Sequence, residues 1–164
     1  MVAGLRWEDM PVGHSVSTPA RTVTEADLVA FVTSAGFFEP LFLDARAAAD
    51  VGPYEGRLVP GALTFVFAEG LVLQTGVLHG TGMAFLGAEL TVRAPVYVGD
   101  TIDVRAEVTE SRPSRTPGRG VVTTRNEVRN QRGEVVLVYT PTRLVRGRDS
   151  DPQTATDEGP DPLR

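Results

Sequence analysis

A chain of 164 residues, 41% hydrophobic and 23% charged, is long enough for one domain with a full core and too short to favour two. Its net charge of −5 argues against nucleic acid or an anionic membrane as partner. The absence of cysteine excludes disulfides, thiolate nucleophiles and cysteine metal sites, and two histidines, His14 and His79, argue against a multi-histidine metal centre.

The opening MVAGLRWEDMPVG has acidic residues and no apolar h-region, so it does not read as a secretory signal, and no run approaches the length of a membrane span. A cytoplasmic domain is expected. Thr24-Glu25-Ala26-Asp27 reads as an N-cap with acidic residues in the first turn; Leu28, Phe31, Val32 and Ala35 follow at helical spacing, and Gly36 suits the C-terminal stop. SAGFFEPLFLD comes next, with phenylalanines where a loop is normally polar. Ala45 to Asp50 predicts a short helix, with Asp44 as its cap, and Val51 to Pro60 a loop rich in Gly and Pro.

Gly61 opens GALTFVFAEGLVLQTG, which is apolar all round and therefore predicts a helix buried on most sides. Glu69 is its only charge, and an unpaired carboxylate is costly to bury, so it must find a partner or face a cavity. The second half changes period. Leu90, Val92, Ala94, Val96 and Val98 alternate with polar or bulky neighbours, and after a Gly99-Asp100 turn Ile102, Val104, Ala106 and Val108 do the same. Val121–Val128 and Glu134–Leu144 add two further strands. Period-two runs joined by turn residues predict an antiparallel meander with one buried face, and helices early with strands late predict an α+β fold. Beyond Arg146 the chain lacks apolar periodicity and is rich in Asp and Pro, the composition of a disordered tail. The expected division is a domain over residues 1–145 and a tail over 146–164.

Several stretches, in order, carry a resemblance: TVTEADLVAFVTSAG, EPLFLD, GRLVPGAL, RAPVYVGDTI and GVVTTRNEVRNQRGEVV. Together they resemble the MaoC-like family of (R)-specific enoyl-CoA hydratases and acyl-thioester dehydratases, over about Leu5 to Val145. The resemblance implies a single hotdog fold, an antiparallel sheet wrapped around one long helix. It also implies an edge-to-edge homodimer, an acyl thioester as small-molecule partner, and no cofactor beyond CoA or phosphopantetheine as carrier of the substrate.

Family hydratases carry a Gly-Asp-x-Asn-Pro-Leu-His-x-Asp pattern whose first Asp and His activate water. Here it reads Gly36-Phe37-Phe38-Glu39-Pro40-Leu41-Phe42-Leu43-Asp44. A phenyl ring cannot move a proton, so Phe37 and Phe42 are expected to line the pocket rather than to act in it. The resemblance makes the N–H of Gly61, after Pro60, the donor to the thioester carbonyl, since a helix start offers free N–H groups and a positive dipole end. Glu69, with Glu39, is the candidate replacement acid/base. Arg115 and Arg119, in the SRPSRTPGRG loop, are candidates for carrier phosphates because their forked donors suit that group. Three functions follow: a hydratase or dehydratase with relocated proton handling, a hotdog thioesterase using Glu69, or a non-catalytic acyl-binding or structural subunit.

Overall fold

The computed structural model describes residues 4–150. Helix α1, Glu25–Ala35, starts at a capping box in which Thr24 accepts from the Asp27 N–H at 3.2 Å while the Asp27 carboxylate accepts from the Thr24 N–H at 2.9 Å. It ends at Gly36, whose φ of 73° suits glycine. Two short helices follow, α2 (Pro40–Leu43) and α3 (Ala47–Val51), and then the long helix α4 (Gly61–Gln74).

The strands are β1 (Ser15–Ser17), β2 (Arg21–Thr22), β3 (Leu58–Val59), β4 (Gly82–Val92), β5 (Val96–Tyr97), β6 (Thr101–Pro113), β7 (Arg119–Asn130) and β8 (Val135–Arg146). The main sheet runs β1-β6-β7-β8-β4, all antiparallel, with β2 also on β6; β3 and β5 form a separate pair. Alternate residues of β6, β7 and β8 are buried. Ile102, Val104, Val128, Leu137 and Tyr139 form one core with Leu63, Ala68, Leu71 and Val72 of α4, so the sheet wraps the helix as the hotdog arrangement requires. Among the described residues no helix is long and apolar enough to cross a membrane.

Three details depart from the period-two reading. The run Leu90–Val98 is not one strand: β4 ends at Val92, and the N–H groups of Arg93 and Ala94 both turn to the Val136 carbonyl, at 2.8 and 3.2 Å. Pro95 lacks the N–H a ladder needs and restricts Ala94, so the chain leaves the sheet and β5 pairs with β3 instead. Secondly, β4 begins at Gly82, in a stretch without clean alternation. The alternation is missing because β4 is an edge strand, exposed in all eleven residues. Thirdly, α4 is not buried all round: Val66 is 52% and Leu73 61% exposed, and Leu73 borders a groove with the exposed Met83 and Phe85 of β4. The last strand runs to Arg146 and is followed by a 3-10 turn at Arg148–Ser150. Residues 151–164 of the expected tail lie outside the described residues.

A second, smaller core joins Met10, Val108, Val122 and Val145, with Trp7 packed onto it. Trp7 needs a bare backbone beneath it, since a Cβ on Gly120 would stand 2.3 Å from the indole Cγ. Gly120→Ala should therefore cost about 1–3 kcal/mol through overpacking. For a chain of this size that lowers Tm by roughly 3–10 °C. Thermal unfolding followed by circular dichroism checks it, and an unchanged Tm would refute the packing.

Candidate active site

The SAGFFEPLFLD stretch folds as a tight turn into α2. The Phe37 N–H donates to the Val32 carbonyl at 3.0 Å, and the N–H groups of Phe42 and Leu43 donate to the Glu39 carbonyl at 2.9 and 3.2 Å. Phe37 packs between two rings, its centroid 5.1 Å from Phe31 and 6.2 Å from Phe42. Arg57 fixes the turn from below, donating through Nη1 to the Phe42 carbonyl at 2.9 Å and through Nη2 to Glu25 at 2.8 Å.

Phe42 forms one wall of a pocket of about 270 Å³. Tyr54, Pro60, Gly61, Thr64 and Arg93 also border it, and Val136 and Leu137 contribute from β8. Gly61 is the first residue of α4, whose opening turn leaves N–H groups without intrahelical acceptors. A Cβ there would stand 2.9 Å from Val92 Cγ2, so a side chain at this position would require Val92 to shift. Thr64 is held inward, donating its N–H and its hydroxyl to the Pro60 carbonyl at 3.1 and 3.4 Å. Phe42, Pro60 and Gly61 border one pocket, whereas Phe37, which was also expected to line it, packs behind Phe42 against Phe31. No carboxylate lines this pocket; its ionisable groups are Tyr54 and Arg93.

The other candidates lie elsewhere. Glu69 is two turns further along α4, about 12 Å from Gly61 along the helix axis. Both its oxygens are engaged by Arg143 Nη2, at 2.6 and 2.8 Å, and Arg143 Nη1 reaches the Thr124 hydroxyl at 3.4 Å. The pair forms part of a groove of about 310 Å³ with Leu73, Met83 and Phe85. Beside it the buried Tyr139 phenol is held above its ordinary range, by burial first and by the Glu69 charge second. Glu39 is exposed at the start of α2, and its side chain does not cap that helix. Asp44 binds the Arg46 N–H at 2.9 Å, and the Arg46 guanidinium lowers its carboxyl to about 2, a local structural role. Arg115 and Arg119 lie at the β6–β7 turn. The pairing of Gly120 with Val145 at that end, and of Val128 with Leu137 at the pocket, puts them about 25 Å from Gly61 within one chain. Among the described residues no three His, Asp or Glu side chains cluster as metal ligands.

Tyr54, Arg57, Thr64, Arg93 and Arg143 were not singled out in the sequence. Arg57 and Arg93 stand inside the stretches GRLVPGAL and RAPVYVGDTI. Arg143 had a sharper signal: with Leu137, Tyr139 and Val145 it shares the inward register of β8, where a charge must find a partner.

Comparison with known proteins agrees with the geometry. The family described as "FAS1-like, dehydratase domain region" matches residues 11–138. The 3-hydroxybutyryl-CoA dehydratase of Methylorubrum extorquens is 32% identical over 115 residues, spanning 70% of this chain and 71% of that protein. The (R)-specific enoyl-CoA hydratase of Aeromonas caviae is 36% identical over 90 residues, 55% of this chain and 65% of the relative. The crystal structure of the MaoC-like dehydratase from Rhodospirillum rubrum superposes with a TM-score of 0.78 at 32% identity, covering 88% of this chain and 99% of that one.

The Glu69–Arg143 pair sets a stability test. Removing one partner of a mostly buried pair strands the other, at about 3–5 kcal/mol, whereas replacing both with apolar residues is close to neutral. Glu69→Ala and Arg143→Ala should each destabilise strongly in urea unfolding, and Glu69→Met/Arg143→Met should not. Single variants as stable as wild type would show that the pair carries no weight.

Proposed function

The chain belongs to the MaoC-like dehydratase family, and on that footing we propose that it binds an acyl thioester with the thioester carbonyl against the Gly61 N–H. The carrier is CoA or phosphopantetheine. The observation that carries the reading is the open pocket ending at the start of α4, where a carbonyl oxygen meets unpaired N–H groups and the positive helix end. The same pocket argues against water addition by the family's usual route. Phe42 borders it at the position of the family His, and Phe37 stands next to Phe42 at the position of the Asp. A positioned acid or base contributes on the order of 10²–10⁴-fold in rate, and two phenyl rings contribute none of it.

The working unit in this reading is a homodimer. An edge strand exposed along its whole length invites pairing, and exposed apolar side chains on β4 and α4 need cover. A second copy placed by a two-fold axis pairs β4 antiparallel with itself and covers both.

One observation favours a catalytic variant. Glu69 borders the groove beside Leu73, Met83 and Phe85, on the side a second copy would cover, so in the dimer it faces the subunit interface. If Glu69 exchanges Arg143 for substrate, it takes over proton handling, for hydration, for dehydration or, as in hotdog thioesterases, for hydrolysis.

Calorimetry with acyl-CoA, and separate assays of water addition, water loss and thiol release, distinguish these cases. The expected result is binding by the wild type without hydration. Phe37→Asp/Phe42→His should then gain hydration by on the order of 10²–10⁴-fold. Wild-type turnover that Glu69→Gln abolishes would replace the binding reading with the catalytic one; absence of acyl-CoA binding would sink both. Val66→Lys/Leu86→Lys should convert the dimer to monomer in sedimentation velocity, and a wild type that sediments as a monomer would refute the pairing.

A further inference from the structure

The sheet end farthest from Gly61 carries an electrostatic anomaly. Arg119, the first residue of β7, lies directly opposite Arg146, the last of β8. Directly opposed residues in an antiparallel pair project to one face with Cβ atoms about 5 Å apart, and like charges there repel. Neither guanidinium has an ion-pair or hydrogen-bond partner among the described residues. Of the carboxylates at this end, Glu110 and Asp9 are taken by other arginines, whereas Glu8 Oε2 has no hydrogen-bond partner and Asp149 no ion pair among the described residues. Glu110 accepts from Arg112 at 2.7 Å, Asp9 is held by Arg148 and the Arg6 N–H, and Glu8 accepts from the Arg148 N–H at 3.1 Å.

Arg115 sits on the turn beside them, and that turn is closed onto the strands. The Ser114 N–H donates to the Arg119 carbonyl at 3.0 Å, and the Gly147 N–H to the Gly118 carbonyl at 2.8 Å. A protein of net charge −5 thus sets two arginines face to face at this end, neither with an ion-pair partner among the described residues. An anion between them would relieve the repulsion, and guanidinium forks match the oxygens of a phosphate.

We infer that Arg115, Arg119 and Arg146 form a phosphate-binding cluster whose ligand is the nucleotide end of CoA, with its 3′-phosphate and 5′-diphosphate. In one chain this cluster is too far from Gly61 to serve the same thioester. In the dimer it is not. Antiparallel pairing of β4 with its copy brings the Gly82 end of one subunit beside the Val92 end of the other. Arg146 then lies two strand spacings, and Arg119 three, from the partner's β4 and its pocket mouth, about 10–15 Å across the sheet. A CoA whose pantetheine arm leaves one subunit's pocket would reach the other subunit's arginines. This placement rests on the acyl-thioester dimer proposed above; the anion binding itself does not.

Titration calorimetry with adenosine 3′,5′-bisphosphate tests the cluster without any thioester. The wild type should bind it, more weakly as salt rises. Arg119→Gln/Arg146→Gln should lose at least tenfold in affinity without a fall in Tm, because it removes a repulsion, and Arg115→Gln should lose less. Acyl-CoA should weaken in the double variant while acyl-pantetheine does not. Equal nucleotide binding by wild type and double variant, or none by the wild type, overturns the inference. Equal affinity for 4′-phosphopantetheine overturns the nucleotide assignment. Nucleotide binding that persists while acyl-CoA and acyl-pantetheine show no acyl-dependent gain would refute the Gly61 pocket and leave the cluster standing.

Discussion

The structure depends on the burial of one side of α4 in the concave face of the sheet. Leu63, Ala68, Leu71 and Val72 supply that side, and the inward residues of β6, β7 and β8 receive it. Burial of this kind is worth on the order of 1.5–3 kcal/mol per large aliphatic side chain. Because the helix is clamped along its length, its first turn is held still. At the helix start β4 has ended at Val92 and the chain turns out of the sheet at Pro95, so Gly61 borders an open pocket although Leu58, Val59 and Pro60 before it are buried.

The same clamp accounts for the buried charge pair. Position 143 on β8 falls in the inward register, and position 69 on α4 lies above it. An arginine at one site without a carboxylate at the other would be costly, so the two residues are physically one feature. Sequence alone showed half of it, a carboxylate in an apolar helix. The other half was signalled only weakly: Arg143 shares the parity of Leu137, Tyr139 and Val145, but Val136, Val138 and Leu144 hold the opposite parity, and pairing, which is long-range, decides which face turns inward.

The legibility of the fold has the same pattern. The ends of α1 were readable because Thr24, Asp27 and Gly36 act locally, through a capping box and a left-handed residue. Strands β6 to β8 were readable because each has one buried face and so keeps a period of two. Strand β4 was not, because an edge strand exposed in all eleven residues has no single buried face and therefore no period. The pocket was half legible: Gly61 and Phe42 stand in stretches that carry a family resemblance, whereas Tyr54 and Arg93 come together only once the chain has broken at Pro95. The separation of Glu69 from Gly61 could have been counted along the helix, but its engagement with Arg143 could not.

What the altered loop does follows from shape as much as from chemistry. Phe37 and Phe42 are bulky enough to hold the turn and its hydrogen bonds in place, with Phe31 behind them and Arg57 gripping the Phe42 carbonyl from beneath. A dead site under no constraint would be expected to close, since rings are stabilised by contact and a void loses dispersion energy on every wall. Here the rings pack against one another, and Gly61 still has a space of about 270 Å³ before it. A space of this size at the start of α4, with phenyl rings where the family places its proton-moving groups, leaves room for a ligand that turns an acceptor toward the helix start. The ionisable groups left on the pocket's walls are Tyr54 and Arg93, with no carboxylate or imidazole among them.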